Sequence, residues 1–576
     1  MILSTILTRP LADTLSFSNS SAFAKALICI LILASGFWTE RAFAQGVSPG
    51  VVEEIEGQLQ ILYEDSDAGS RLLFGLKTAS ERLSLQFAGE APTHLLTGAK
   101  VRVRGVRFGN LLALGGGNGK KKGNIDEVTP PPPLSIIGER RVLMILVNFQ
   151  DKPDQPYSVA EAENILFGTT GDFVMENSYQ QTWLSGDVAG WYTIPLSSTG
   201  CDYVSIASFA QAAASAAGYD LSAYHHYVYA FPQNGCGGFG FGTVGGNPSE
   251  TWINGSLDLK VLSHELGHSF GLYHAHALDC GTSVLGTNCS VLEYGDRIDT
   301  MGNVSAGHFN AFQKQRLGWL GDGTSPPITT VQGDGLYTIE PLEAAGSGTK
   351  ALVILKSTDP ETSQQTWYYL EYRRALGFDS FLATNNNVLN GIMVHTGSPP
   401  NGDSSYLLDM TPASAPQNWS DWSDPALEVG ESFHDPNSGM TLTTVSATGT
   451  GAIVSVNFAA PICSHADPSV TIAPSQSPIV QAGTAVTYAV SVTNHDPSSC
   501  AESSFALQAT VPSGWNAALA SSTLTLNPGM TSSTTLTVTS PPTASRGTYT
   551  FTVSASNTAA ATSAASTEAN YVIKRK

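Results

Sequence analysis

The stretch from His264 to His274 reads His-Glu-Leu-Gly-His-Ser-Phe-Gly-Leu-Tyr-His, the pattern H-E-x-x-H-x-x-G-x-x-H. Two histidines four residues apart lie on one face of a helix, one turn from each other, so His264 and His268 can share a metal ion. Glu265 follows the first of them and can lean over the metal without binding it. Gly271 comes three residues after His268, where a helix that is to end needs a left-handed backbone and a sharp exit. That exit turns His274 back toward the same ion. Three neutral imidazoles with one open position describe a catalytic zinc site rather than a closed structural one. Zinc in such a site makes water acidic near neutral pH, and a carboxylate placed like that of Glu265 serves as the general base.

The flanks suit a buried helix. Leu259, Leu262, Leu266 and Phe270 recur at helical spacing, and Ser256 is the expected N-cap. The long motif resembles the signature of the metzincin metallopeptidases. Downstream, Glu293-Tyr294-Gly295-Asp296 leads to Asp299-Thr300-Met301-Gly302, followed by a helix-like run from His308 to Trp319. This arrangement resembles the gametolysin family of metzincins over roughly residues 139–320, and immune-inhibitor-type secreted peptidases are similar in architecture but less close. The resemblance implies zinc held by His264, His268 and His274, Glu265 as catalytic base, and Met301 in a methionine turn beneath the metal. It also implies that Phe239–Val244 is a sheet edge for an extended substrate, a plain glycine-rich loop being the alternative. Many metzincins are held latent by a propeptide cysteine, but none occurs here between residues 45 and 200. An aspartate or glutamate is the candidate replacement, and the sequence does not say which. The tyrosine that some relatives place just after the methionine turn is absent, and Tyr273 and Tyr294 are expected to be core residues.

Other side chains carry weaker expectations. His276 is read as a neighbour of the ligands, His308 and Phe309 as core or pocket wall, His225-His226 as a surface pair, and His395 as a packed strand residue. Asp279, Glu293, Asp296 and Asp299 surround the methionine turn. Their carboxylates either shape the turn by hydrogen bonds, the preferred reading, or hold calcium.

The elements that must position these residues belong to a chain of 576 residues with net charge −20. Its acidity disfavours nucleic acid and anionic membranes as partners. Arg9 and Lys25 precede the apolar run Ala26–Ala34 and the small-x-small site Ala42-Phe43-Ala44, so residues 1–44 read as a signal peptide and the chain as secreted, with no membrane span in its mature form. Apart from Cys29, six cysteines fall in neighbouring pairs, and Cys201–Cys236, Cys280–Cys289 and Cys463–Cys500 are the expected disulfides.

The fold expected is multidomain α+β. Residues 45–114 alternate as a small β-barrel-like domain whose closing phrase resembles an OB-type strand, either a propeptide or an accessory unit. Residues 115–138, rich in Gly, Lys and Pro, read as a linker, with Lys120-Lys121-Lys122 a solvated cluster first and a processing site second. A metzincin-like catalytic domain fills 139–320, with Arg141–Phe149 as a central strand. Residues 321–461 and 462–576 read as two β-sandwich domains, the second immunoglobulin-like. The function expected is a secreted zinc endopeptidase acting on extracellular proteins or glycoproteins, with cell-surface or glycan contact through the C-terminal module. The rival is a non-catalytic adhesin or glycan-binding protein that keeps the zinc fold.

Overall fold

The computed structural model describes residues 52–66, 69–89, 91–115, 125–129, 136–302, 306–414, 421–458, 463–497 and 500–574. Residues 1–44, expected to be a signal peptide, lie outside them, as do Lys120–Lys122 and Pro130–Pro133.

The first five strands are β1 (Val52–Ser66), β2 (Gly69–Lys77), β3 (Arg82–Phe87), β4 (Lys100–Phe108) and β5 (Leu111–Leu114). They pair in the order β1-β2-β3-β5-β4, and β4 returns to β1, which closes a barrel. Alternation in these strands sends Leu59, Ile61, Leu83, Val101 and Val103 inward. A sixth strand, β6 (Ile125–Thr129), pairs with β4. It lies inside the segment expected to be linker, so the barrel unit extends beyond residue 114.

The barrel continues without a break into a second set of strands: β7 (Gly138–Phe149), β8 (Thr182–Ile194), β9 (His226–Phe231), β10 (Gly240–Thr243) and β11 (Ser249–Asn254). Their order is β10-β11-β9-β7-β8, and β1 joins at the β10 edge. β7 runs parallel to both neighbours and stands second from the opposite edge rather than at the centre. Its unbroken apolar run follows from burial on both faces. Met144 and Leu146 pack with Leu262 and Leu266 of the helix Leu259–Ser269 and with Phe270, its C-cap, while Leu143 and Ile145 pack with Ile206 and Ala210 of the helix Tyr203–Ala216. Ser158 and Glu161 form the expected capping box.

Past the motif helix, β12 (His276–Asp279) and β13 (Ser290–Leu292) join a sheet with Asn401–Leu408, Gly391–Ser398, Gln365–Glu371 and Ala351–Thr358. A boundary at residue 320 therefore cuts through a sheet. β12, which starts two residues after the third histidine, pairs in parallel with Asn401–Leu408. A four-stranded sheet covers this one, with Ile339, Met440, Leu442 and Val454 packing on Leu352, Tyr368, Ile392 and Val394. The C-terminal residues form two further sheets of four and five strands around Tyr488, Val490, Leu536, Phe551 and Tyr571. All three expected cysteine pairs are bonded. Among the described residues, no helix is long and apolar enough to cross a membrane.

Candidate metal centre

The motif helix begins one turn before the first histidine. Its N-cap is Asp258, whose carboxylate accepts from the backbone N–H of Val261 at 3.0 Å. Ser256 is not the cap, since Asp258 is the residue that accepts from the first turn. Its hydroxyl instead donates to Asp258 at 2.9 Å and steadies the cap. At the other end Gly271 has φ +102°. Its N–H donates to the carbonyl of His268 at 2.8 Å, and that of Leu272 to Gly267 at 3.0 Å. These bonds close the helix as a glycine terminus does and turn His274 inward.

Each imidazole is held by its Nδ1. His264 Nδ1 lies 2.8 Å from the carbonyl of Thr300, His268 Nδ1 2.9 Å from that of Leu272, and His274 Nδ1 2.5 Å from a carboxylate oxygen of Glu293. A ring whose Nδ1–H donates outward presents the lone pair of Nε2 on its other side, as metal-bound imidazoles do. The three Nε2 atoms converge, those of His264 and His274 standing 3.3 Å apart. That spacing fits two ligands of one tetrahedral zinc with bonds of about 2.0–2.1 Å. Burial lowers His264 to about 3 and also lowers His268, which keeps both rings neutral. His274 differs: burial opposes its charge, but the carboxylates of Asp65 and Glu293 raise it to about 9.

A fourth group closes the cluster. Asp65, at the end of β1, is buried, and its carboxylate lies 3.0 Å from His274 Nε2, 3.3 Å from His268 Nε2 and 3.6 Å from His264 Nε2. These four residues each bring a ligand atom to one point. Asp65 Oδ2, His268 Nε2 and Glu265 Oε2 are buried without a hydrogen-bond partner, which is costly unless an ion shares them. The donor set, its geometry and its orphaned atoms thus fit a zinc ion.

Two tyrosines complete the surroundings. The ring of Tyr63 stacks on His268 with centroids 4.6 Å apart, and its hydroxyl donates to Asp403 at 3.1 Å. Tyr294 is not core filler. It has φ +55°, a backbone that L residues seldom adopt, and its ring lies 4.3 Å from that of His274. Its hydroxyl donates to Asp65 Oδ1 at 2.5 Å. A cavity of about 500 Å³ opens beside this group, lined by Phe239, Lys260, His264, Glu265 and Tyr294 among others.

β10 crosses the motif helix closely. A Cβ on Gly240 would lie 2.2 Å from a carboxylate oxygen of Glu265, and one on Gly242 would lie 2.8 Å from Cβ of His268. The glycines therefore serve the helix side of the strand, and the side expected to receive a peptide is paired with β1. Burial pushes the carboxyl of Glu265 well above its ordinary range, and the charge of Asp65 adds to this. Gly240→Ala should displace Glu265 and lower stability by about 1–3 kcal/mol. A urea titration checks this, and a wild-type midpoint would contradict it.

Met301 lies under the helix, against Gly267. Gly267 leaves room for its sulfur, since a Cβ there would meet Sδ at 2.3 Å. Lys260 donates to the carbonyls of Thr300 at 2.5 Å and Gly302 at 3.0 Å, tying the turn to the helix. The acidic residues around the turn are occupied by protein groups. Asp299 accepts from the N–H groups of Met301 and Asn310, Asp296 pairs with His395 at 2.8 Å, and Asp279 accepts from Gly281. Among the described residues they form no cation cluster. His276 bonds to Asp403 at 2.9 Å, beside the ligands. His308 is buried against Glu176 and Lys314, and Phe309 packs in the core, so neither lines the cavity. His226 is not a surface residue: β9 is buried, and its Nδ1 lies 2.6 Å from the hydroxyl of Ser249.

The sequence reading missed Asp65, Tyr63 and the roles of Tyr294 and Glu293. Glu293 lies in the Glu-Tyr-Gly-Asp phrase already singled out, so a search for a carboxylate to orient His274 could have found it. No local pattern marks Asp65.

Residues 173–406 match the family described as gametolysin peptidase M11, and residues 480–558 match the NPCBM-associated, NEW3 domain of alpha-galactosidase. The chain thus resembles a zinc metallopeptidase family over less than half its length, with a β-sandwich module behind it. The first match supports a peptidase role. It runs on past residue 320, as the shared sheet does. No curated protein matches the chain. Among solved structures, a FixG-related protein from Vibrio parahaemolyticus is 13% identical over 19% of this chain and 99% of that one, with a TM-score of 0.16. The secreted serine protease VesC from Vibrio cholerae is 9% identical over 42% of this chain and 46% of that one, with a TM-score of 0.15. Likenesses this slight carry no argument.

Proposed function

We propose that this protein is a secreted zinc endopeptidase of the metzincin type, whose catalytic unit runs from β7 through the sheet that contains Asn401–Leu408. The observation that carries the reading is the convergence of three Nε2 lone pairs beside the unpaired carboxylate of Glu265. The three disulfides suit an oxidising compartment outside the cell. The C-terminal sandwich serves as a spacer or surface-holding module.

Zinc bound by the three imidazoles supplies Lewis acidity, polarising a peptide carbonyl and making water acidic. Glu265 takes the proton of the attacking water and hands it to the departing amine. Burial, which raises this carboxyl above its ordinary range, favours its holding the proton until the amine departs. Once β1 is displaced from it, the β10 edge pairs with the backbone of an extended peptide. Tyr294 donates its hydroxyl to the oxygen of the scissile carbonyl, at the place Asp65 Oδ1 now holds, and so stabilises the charge that develops there. Glu293 and Thr300 keep two of the ligand rings in orientation.

Hydrolysis of casein or gelatin, abolished by a chelator and restored by zinc, tests the reading. No cleavage across a diverse peptide library by zinc-loaded protein with its N-terminal barrel displaced would overturn it. Tyr294→Phe should lower kcat about a hundredfold and leave KM within about twofold. An unchanged kcat would return Tyr294 to a packing role.

A further inference from the structure

We propose that β1 is an inhibitor built into the chain, with Asp65 as a fourth metal ligand that closes the open position. The proposal rests on the peptidase reading and adds how that site is kept silent.

Three observations point the same way. The carboxylate of Asp65 lies within 3.0–3.6 Å of all three Nε2 atoms, where an attacking water and a substrate carbonyl would have to be. No other carboxylate of the barrel joins the group of metal-binding atoms among the described residues. Second, Leu62–Asp65 of β1 pair antiparallel with Gly240–Thr243 of β10. This is the main-chain pairing an extended peptide would use, so the strand and a substrate exclude each other. Without β1, β10 would be a free edge among the described residues, where its other neighbour is β11. Third, the barrel engages the groups that surround the metal. Tyr63 covers His268 and His274 and donates to Asp403. Asp65 accepts from Tyr294, and the hydroxyl of Ser70 donates to Glu293 at 2.8 Å. Of these, Tyr294 is the residue that the catalytic reading needs free.

The closed arrangement fits a cation rather than an empty core. A fully buried carboxylate with one unpaired oxygen, facing three imidazole lone pairs, is unfavourable without a positive charge to share. With the ion present the site becomes four-coordinate through protein groups alone, the form of a structural zinc site. Activity then requires that β1 leave β10, by a cut between Ser66 and Gly138 followed by departure of the barrel, or by displacement of the barrel as a whole.

The test uses the full-length chain loaded with cobalt, whose visible spectrum reports ligand number, and acetohydroxamate as a small chelating probe that can enter through the cavity. Asp65→Ala and Asp65→Asn are compared with wild type, and Glu56→Gln, an exposed carboxylate on the same strand, is the control. Thermal unfolding and cobalt content confirm that each chain is folded and loaded. Wild type and Glu56→Gln should show an intense four-coordinate spectrum that acetohydroxamate barely alters. Asp65→Ala should show a weaker spectrum that the probe shifts, with apparent affinity at least about tenfold tighter than wild type. Equal probe binding by folded wild type and Asp65→Ala, or by neither, would overturn the proposal. Limited proteolysis gives a second reading: loss of Asp65 should expose the barrel to faster release, and unchanged release would count against it. Casein cleavage is followed in parallel. Probe binding by Asp65→Ala without cleavage, even after the barrel is released, would keep the inhibitor and overturn the peptidase reading.

Discussion

Glu265→Gln leaves the chain folded and metal-bound and lowers kcat about a thousandfold once the barrel is displaced. The amide matches the carboxylate in shape, and Glu265 binds no ligand nitrogen, so neither the packing under Gly240 nor the zinc content should change. What is lost is the ability to accept a proton, and general-base catalysis contributes about 10²–10⁴-fold. The check is a kinetic comparison on one peptide, with zinc measured on the same samples. Activity within about tenfold of wild type would remove Glu265 from the chemistry. A zinc content that fell in step with activity would instead make it part of the metal's support.

His268→Ala removes both metal and activity. Its ring is fully buried between the helix exit and Tyr63, and Nε2 has no hydrogen-bond partner. Without that ligand the affinity for zinc collapses, and the stability that binding lends the fold goes with it. At free zinc about a thousand times the dissociation constant, that contribution is about 4 kcal/mol. Chelation of the wild-type chain should therefore lower its melting temperature, and the same chelator should leave His268→Ala where it already melts. A wild-type melting temperature indifferent to chelator would show that the ion contributes nothing to the fold.

The part of the site legible in sequence is the part set by local geometry. Helical spacing places His264 and His268, and the glycine exit at Gly271 places His274, all within a dozen residues. The alternating strands of the barrel and both sandwiches were legible for the same reason, since period two needs no distant partner. The expected N-cap stands two residues early because Ser256 and Asp258 are both good caps, and only the bond from the Val261 N–H to Asp258 separates them. His226 was misplaced because a His-His pair looks polar, whereas β9 is buried on both faces. The domain boundaries near 114 and 320 were drawn at changes of composition. β6 and β12 ignore those changes because hydrogen-bonded pairing, not composition, decides which sheet a strand joins. Asp65 was out of reach on the same grounds. It reaches the metal site only because β1 extends past the barrel and finds the β10 edge, and nothing in the residues around it announces that pairing. The strained backbone of Tyr294 was equally hidden, as a positive φ at tyrosine has no sequence signal.

The most direct measurement is anomalous X-ray diffraction at the zinc edge on crystals of the full-length protein. One peak about 2.0–2.2 Å from Nε2 of His264, His268 and His274, with an oxygen of Asp65 as its fourth neighbour, is the expected result. Density with those rings turned away from one another, or a zinc peak bound elsewhere, would contradict it.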